Sequence, residues 1–213
     1  AASQFNWKHS SYPKANPQTV SVTEDVSKTI SLTGNGVPGD TNISFIIMDV
    51  PSNGTLKNNG NLISNNGTTL SSADVVYTAT SETATSDKFE IRTKTDAGLL
   101  SEVVDVTLNI TLVNDKPVAT AQTVEAVEQT AKTITLAGTD AEGDTLTYSI
   151  VSSPSNGTVT LDGATATYTS NSETATSDSF TFKVNDGTID SDPATVTLNI
   201  TLVNDKPVAT AQT

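Results

Sequence analysis

The side chains of this chain that could do chemistry are almost all carboxylates and amides. Its 213 residues include 24 Asp and Glu against 11 Lys and Arg, with one His and no Cys, for a formal net charge of −13. Without Cys there is no disulfide framework, thiol nucleophile or zinc–thiolate site. A single His excludes an imidazole cluster for metal or triad chemistry. No nucleophile–base pair, phosphate loop or catalytic metal spacing is present, so no enzymatic activity is expected. Carboxylate pairs of glycosidase type are conceivable among so many acids, but no cleft is suggested by the pattern. The acidic balance argues against a nucleic-acid partner, which requires a Lys/Arg footprint. The acids instead fall in short runs with Asn and Gly: VNDKP at Val113–Pro117 and Val203–Pro207, TDAEGD at Thr139–Asp144, and VNDG at Val184–Gly187.

An internal repeat organises these runs. VTLNITLVNDKPVATAQT occurs at Val106–Thr123 and again, unchanged, at Val196–Thr213, an offset of 90 residues. SETATSD recurs at Ser81–Asp87 and Ser172–Asp178, PSNGT at Pro51–Thr55 and Pro154–Thr158, and Lys28–Leu32 (KTISL) matches Lys132–Leu136 (KTITL). Two copies of one module of roughly 90–105 residues are therefore expected. The boundaries read as a non-repeated lead-in at 1–15, module one at 16–115, module two at 116–206, and the start of a next repeat at 207–213. Module one carries an insertion within Lys57–Asp74. The partial third copy suggests an excerpt of a longer array.

Within each module the apolar period is two. Phe180, Phe182 and Val184 alternate with Thr181 and Lys183, and Val196, Leu198, Ile200 and Leu202 with Thr197, Asn199 and Thr201. Such alternation places one face in a core and the other in water, and the Thr, Val and Ile content suits a pleated surface. Turn signals separate the runs. About seven strands per module and no helix predict an all-β chain of two tandem Greek-key β-sandwiches stacked end to end. The expected core of module two is Ile134, Leu136, Leu146, Tyr148, Ile150, Tyr168, Phe180, Phe182, Val184, Leu198 and Ile200. That of module one is Ile30, Leu32, Phe45, Ile47, Tyr77, Phe89, Ile91, Leu108 and Ile110. No apolar run approaches the roughly 20 residues of a membrane span, and no signal-peptide pattern opens the chain.

The junction residues carry a family resemblance. VNDKPVA (Val113–Ala119 and Val203–Ala209) resembles the DxNDNxP linker of cadherin repeats. TDAEGDTLTYSI (Thr139–Ile150) resembles the cadherin DxD turn, VNDG the xDG element, and Glu24 and Glu128 fall where cadherins place an acidic residue after the first strand. In texture the chain is most similar to bacterial cadherin-like or Ig-like tandem repeats of large surface adhesins of the RTX type. The likeness spans nearly all of residues 17–213. The LDRE element is missing, with Glu82/Asp87 and Glu173/Asp178 only in its neighbourhood, and Lys116 and Lys206 stand where cadherins have a ligand Asn.

The residues themselves point the same way. Glu24 is expected at the C-terminal pole of module one, Asn114 and Asp115 in the linker, and Asp140, Glu142 and Asp186 at the facing pole of module two. Unit charges at 4 Å repel by about 4 kcal/mol at an effective dielectric of 20, so such a joint calls for a cation. Ca²⁺, which takes 6–8 oxygens, fits; zinc and copper favour nitrogen or sulfur. The competing reading is of plain acidic turns. Glu128, Glu173, Asp178, Asn204 and Asp205 would form a half-site at the far pole of module two. Module one has Gly36-Val37-Pro38 and only Asp40 at its N-terminal pole, so no metal is expected there.

Ala1–Ala15 hold the only Trp and His, in Phe5–Pro13, and read either as an exchanged, ligand-contacting strand or as a packed lead-in. The Asn/Gly-rich insertion reads as a binding loop or a solvated hairpin. The function expected is that of extracellular, Ca²⁺-stiffened spacer modules of a large bacterial surface adhesin in cell adhesion and biofilm. Its partners would be adjacent repeats of the same chain and, through other domains, surface or matrix glycans or proteins. The alternative is a carbohydrate-binding cadherin-like module of a polysaccharide-processing protein. Aromatic residues make up only 5% of the chain, and they are better used in a core.

Overall fold

Short alternating runs broken by Gly, Asn and Asp leave no stretch long enough for a helix. The computed structural model describes residues 12–207 and holds strands and no helix among them. The chain divides into two units, Ala1–Val113 and Asn114–Thr213. The non-repeated Phe5–Pro13 segment lies, up to residue 11, outside the described residues.

Unit one contains β1 (Lys14–Ala15), β2 (Gln18–Thr23), β3 (Lys28–Ser31), β4 (Gly34–Asn35), β5 (Ile43–Asp49), β6 (Gly54–Asn58), β7 (Asn61–Leu62), β8 (Thr68–Thr69), β9 (Asp74–Ala79), β10 (Ser86–Thr95) and β11 (Val104–Thr111). One sheet runs β2-β11-β10-β5-β8 and the other β3-β9-β6-β7, with β1-β4 a separate short pair. The β2/β11 pairing is parallel, Val106 opposite Gln18 through Thr111 opposite Thr23. Between the sheets lie Phe89, Ile91, Val106 and Leu108 from one and Ile30, Val75, Tyr77 and Leu56 from the other, all buried. Every core residue expected of module one is buried. Residues 14 and 15, assigned to the non-repeated lead-in, belong to unit one: Lys14 and Ala15 pair with Asn35 and Gly34, and Ala15 is buried in its core.

The insertion opens with an exposed hairpin, one of the two readings expected of it, and then continues across the unit. Its chain leaves β6, turns back as β7 on the edge of one sheet, then crosses to add β8 to the edge of the other. Ile63 and Leu70 are buried on the way. Buried Asn58 holds the crossing: its amide donates to the carbonyls of Ser72 (3.0 Å) and Asp74 (2.8 Å), and its oxygen accepts from the Ser71 N–H (3.0 Å). This segment is a strap that closes one open side of the sandwich.

Unit two repeats the plan without the strap. Its strands are β12 (Val118–Thr120), β13 (Gln122–Val127), β14 (Lys132–Thr135), β15 (Ala137–Thr139), β16 (Thr147–Ser152), β17 (Gly157–Asp162), β18 (Thr165–Ser170), β19 (Ser177–Asn185) and β20 (Ala194–Thr201). The sheets are β13-β20-β19-β16 and β14-β18-β17, with β12 paired to β15. Two of the seven expected strands are each broken in two, β12/β13 at Ala121 and β14/β15 at Leu136. Tyr168, Phe180, Phe182, Val184, Val196 and Leu198 are buried. Leu146, Tyr148 and Ile150, expected in this core, only pack against its border.

Candidate functional site

Each first strand ends in the same device. After β2 the backbone turns at Glu24-Asp25, with the Val26 N–H donating to the Thr23 carbonyl (3.2 Å) and Asp25 at φ 56°. After β13, Thr130 N–H donates to Val127 (3.2 Å) and Gln129 sits at φ 55°. The turn directs the glutamate inward, where Glu24 is 3% and Glu128 4% exposed. Glu24 Oε2 accepts the N–H of Val113 (2.9 Å), and Glu128 Oε1 accepts that of Val203. Both amides lie two residues beyond the last strand of their unit. The other oxygen of each carboxylate is buried and makes no hydrogen bond among the described residues.

A second acid, placed by the SETATSD segment, joins each glutamate. In unit one the carboxylates of Glu24 and Glu82 approach within 4.8 Å. In unit two Glu173 accepts from the Gln129 amide and is in contact with the Asp205 carboxylate. That shared contact, with repulsion from Asp205 and Glu128, pushes the Glu173 carboxyl above its ordinary range, while Gln129 pulls the other way. Of the far-pole residues, the structure thus brings Glu128, Glu173 and Asp205 together. Asn204 is exposed beside them.

Asp178 does not join this group as a free ligand. Its Oδ1 accepts the N–H groups of Ser155 (2.9 Å) and Ser179 (2.8 Å), and its Oδ2 accepts the N–H of Asn156 (2.9 Å) and the Tyr168 hydroxyl (2.9 Å). Four donors fill the lone-pair sites of one carboxylate, so Asp178 is a turn clamp. Asp87 does the same in unit one for Ser52, Asn53, Lys88 and Tyr77. The two repeated motifs PSNGT and SETATSD are therefore halves of one clamp, which sequence reading left unconnected. The glycine belongs to it as well: a Cβ on Gly157 would lie 2.4 Å from the Thr169 carbonyl oxygen and 2.7 Å from the Tyr168 ring. Burial first, then Asp178, pushes the Tyr168 hydroxyl up to about 12; burial and Asp87 raise that of Tyr77 further still.

At the N-terminal pole of unit two, four of the expected residues are joined in two hydrogen-bonded pairs, while Asp140 bonds within its own loop. Asn114 Nδ2 donates to Asp186 Oδ2 (2.8 Å), and the Asp115 N–H donates to Glu142 Oε1 (2.9 Å). Asp140 Oδ1 accepts the Asp144 N–H (2.8 Å), closing the acidic loop around Gly143 at φ 82°. Asp186 is 8% exposed, and its Oδ1 caps the N–H groups of Thr188 (2.6 Å) and Ile189 (2.7 Å). The Asn114 amide, followed by these backbone donors, holds the Asp186 carboxyl below its ordinary range. Asp140 Oδ2 and Glu142 Oε2 make no hydrogen bond among the described residues. Lys116, at the position of a cadherin ligand, pairs instead with Asp192 (2.6 Å). The matching pole of unit one offers Asp40, already capping the Ala97 N–H (2.8 Å).

Residues 114–199 match the family model of the bacterial Ig domain. No curated protein matches the sequence. Among solved structures, repeats EC1–2 of human mucin-like protocadherin share 15% identity over 91% of this chain and 100% of that one, at a TM-score of 0.51. The extracellular domain of protocadherin GammaB4 shares 17% identity over 89% of this chain and 33% of its own, at 0.52. An endo-fucoidan hydrolase of glycoside hydrolase family 107 shares 18% over 90% of this chain at 0.38, and the chain spans only 29% of that enzyme. At such identities the likeness concerns the fold. Both units are cadherin-like, Ig-like β-sandwich domains, and the second matches the bacterial Ig domain family.

Proposed function

We propose that the chain is a pair of spacer modules from an extracellular bacterial surface adhesin, stiffened where the modules join by Ca²⁺, and without catalytic activity of its own. The observation that carries this reading is the bare oxygen of Glu128. A buried carboxylate oxygen without a hydrogen-bond partner is served by water or by an ion, an oxygen of Glu24 is bare in the same way, and the charge of the gathered acids favours the ion. The donor set fits a hard cation, because the groups gathered in both units are carboxylates and an amide with no nitrogen or sulfur ligand among them. Glu24 and Glu82 of unit one, with Asn114, Asp115, Asp140, Glu142 and Asp186 of unit two, would hold the ion. Glu128, Glu173, Asn204 and Asp205 would supply half of a further site. The ion, when bound, neutralises these acids and links residues of different modules, so that binding energy becomes interface energy.

The bacterial Ig domain match and the unchanged 18-residue repeat favour an array of such modules. Pro117, two residues after Asp115, would limit the hinge before any ion binds. No helix among the described residues is long and apolar enough to cross a membrane. Small-angle scattering in calcium and in chelator tests the stiffening. Calcium is expected to lengthen the maximum dimension and narrow its distribution, and Asp140→Ala to abolish the difference. Superimposable wild-type profiles would refute it.

A further inference from the structure

The two units differ most on the side of the sandwich that the strap covers. Their common clamp fixes the correspondence: Ile47 lies opposite Ile91 as Ile150 lies opposite Phe182, and Phe45 opposite Thr93 as Tyr148 opposite Val184. In unit one Phe45, Ile47 and Leu56 are buried, with Ile63 and Leu70 of the strap closing over that side. In unit two the counterparts Tyr148, Ile150 and Val159 are only partly buried, and neighbouring Val151 is 49% exposed.

The backbone differs in the same way. In unit one the edge carbonyls of Ile47 and Phe45 accept the N–H groups of Gly67 (2.7 Å) and Leu70 (2.8 Å). By the shared register those acceptors correspond to the carbonyls of Ile150 and Tyr148, on β16. Among the described residues no strand pairs with the outer side of β16 or of β17. Natural edge strands are usually guarded by charge, Pro or cover. Thr147–Ser152 contains neither a charged residue nor a proline.

We infer that the open side of unit two, between β16 and β17, is a docking groove for an extended, uncharged protein segment. That segment carries two branched aliphatic residues about seven positions apart, as the strap carries Ile63 and Leu70. Unit one shows what fits this place, because residues 59–73 occupy the equivalent groove within their own unit. They pair antiparallel with the edge, Thr68 opposite Ile47 and Thr69 opposite Ile46. The strap is uncharged, so a segment like it meets no repulsion from an acidic chain. Backbone pairing would supply affinity, and the two aliphatic side chains specificity.

The probe is a synthetic peptide of residues 59–73, titrated into the isotope-labelled full chain and followed by amide shifts. Saturable shifts are expected at Tyr148–Ser152 and Gly157–Asp162, with half-saturation at about 1 mM or below, since a free peptide must be ordered on binding. A peptide with both Ile63→Asp and Leu70→Asp is expected to shift these amides by about a tenth as much, having lost its anchors. Val151→Lys in the chain, which places a charge on the edge, is expected to weaken binding about tenfold with an unchanged melting temperature. Absence of saturable shifts up to about 5 mM would overturn the inference. Equal shifts with a scrambled peptide, or shifts confined to unit one, would do the same.

Discussion

Replacing Asp178 with Ala tests whether the repeated motifs form one clamp. The substitution removes the acceptor for four donors, of which the Tyr168 hydroxyl is the most deeply placed: that residue is fully buried. Hydrogen bonds to a charged group contribute about 1.5–3 kcal/mol, and a buried donor left unsatisfied costs about 1–3 kcal/mol. Ser155 and Ser179 are exposed, so their amides can turn to water and count for little. Asn156, half-buried, lies between these cases. The sum is a loss of about 3–5 kcal/mol from unit two. For a unit of this size that lowers the melting temperature by roughly 15–30 °C. Tyr168→Phe leaves Asp178 three donors and no orphaned hydroxyl, so it is expected to cost about 1 kcal/mol. Urea denaturation read by calorimetry and near-UV circular dichroism should show the unit-two transition moving while that of unit one stays. A loss below about 1 kcal/mol for Asp178→Ala would refute the clamp, since it would show that water serves these donors equally well.

Three further outcomes follow from the packing. Phe180→Ala, at a fully buried aromatic, should cost about 3–5 kcal/mol in the same assay, and a loss under about 1 kcal/mol would show that β19 is out of register. Leu70→Ala should cost about 2–4 kcal/mol in unit one, whereas a freely solvated loop would register almost no change. Alkaline unfolding should set in as pH rises. Tyr168 and Tyr77 are raised in the folded state by burial and by their aspartates, so the folded chain holds protons that the unfolded chain releases near pH 10. Stability is therefore complete below about pH 10 and falls as pH climbs toward 12; a flat profile in that window would contradict the two hydroxyl–carboxylate bonds.

Much of the sandwich is visible in the residues because burial on one face imposes a period of two. Phe180, Phe182, Val184, Leu198 and Ile200 are buried as that period requires. Leu146, Tyr148 and Ile150 obey it too, yet they stay half-exposed, since periodicity assigns a face and not the cover above it. The strap is hidden for the same reason. Ile63 and Leu70, isolated among Asn, Gly, Ser and Thr, form no periodic run, and only the paired edges turn them into plugs. The pairing of Asn114 with Asp186 and of Asp115 with Glu142 is foreshadowed in the residues because all four lie in turn motifs. The clamp role of Asp178 is hidden because a short acidic motif does not reveal which donors surround it. The approach of Glu82 to Glu24 is hidden because the two lie far apart in sequence, on the segments after β2 and before β10.

The most direct test of the account is a calorimetric calcium titration of the full chain beside the Asp140→Ala and Glu142→Gln variants. The wild type is expected to give saturable heat with a dissociation constant of about 10⁻⁴–10⁻³ M, the range of extracellular calcium modules. Both variants should lose most of that heat while keeping their melting temperature in chelator. Wild-type heat no different from that of the variants, or none that saturates below about 10 mM, would mean that these acids only shape turns.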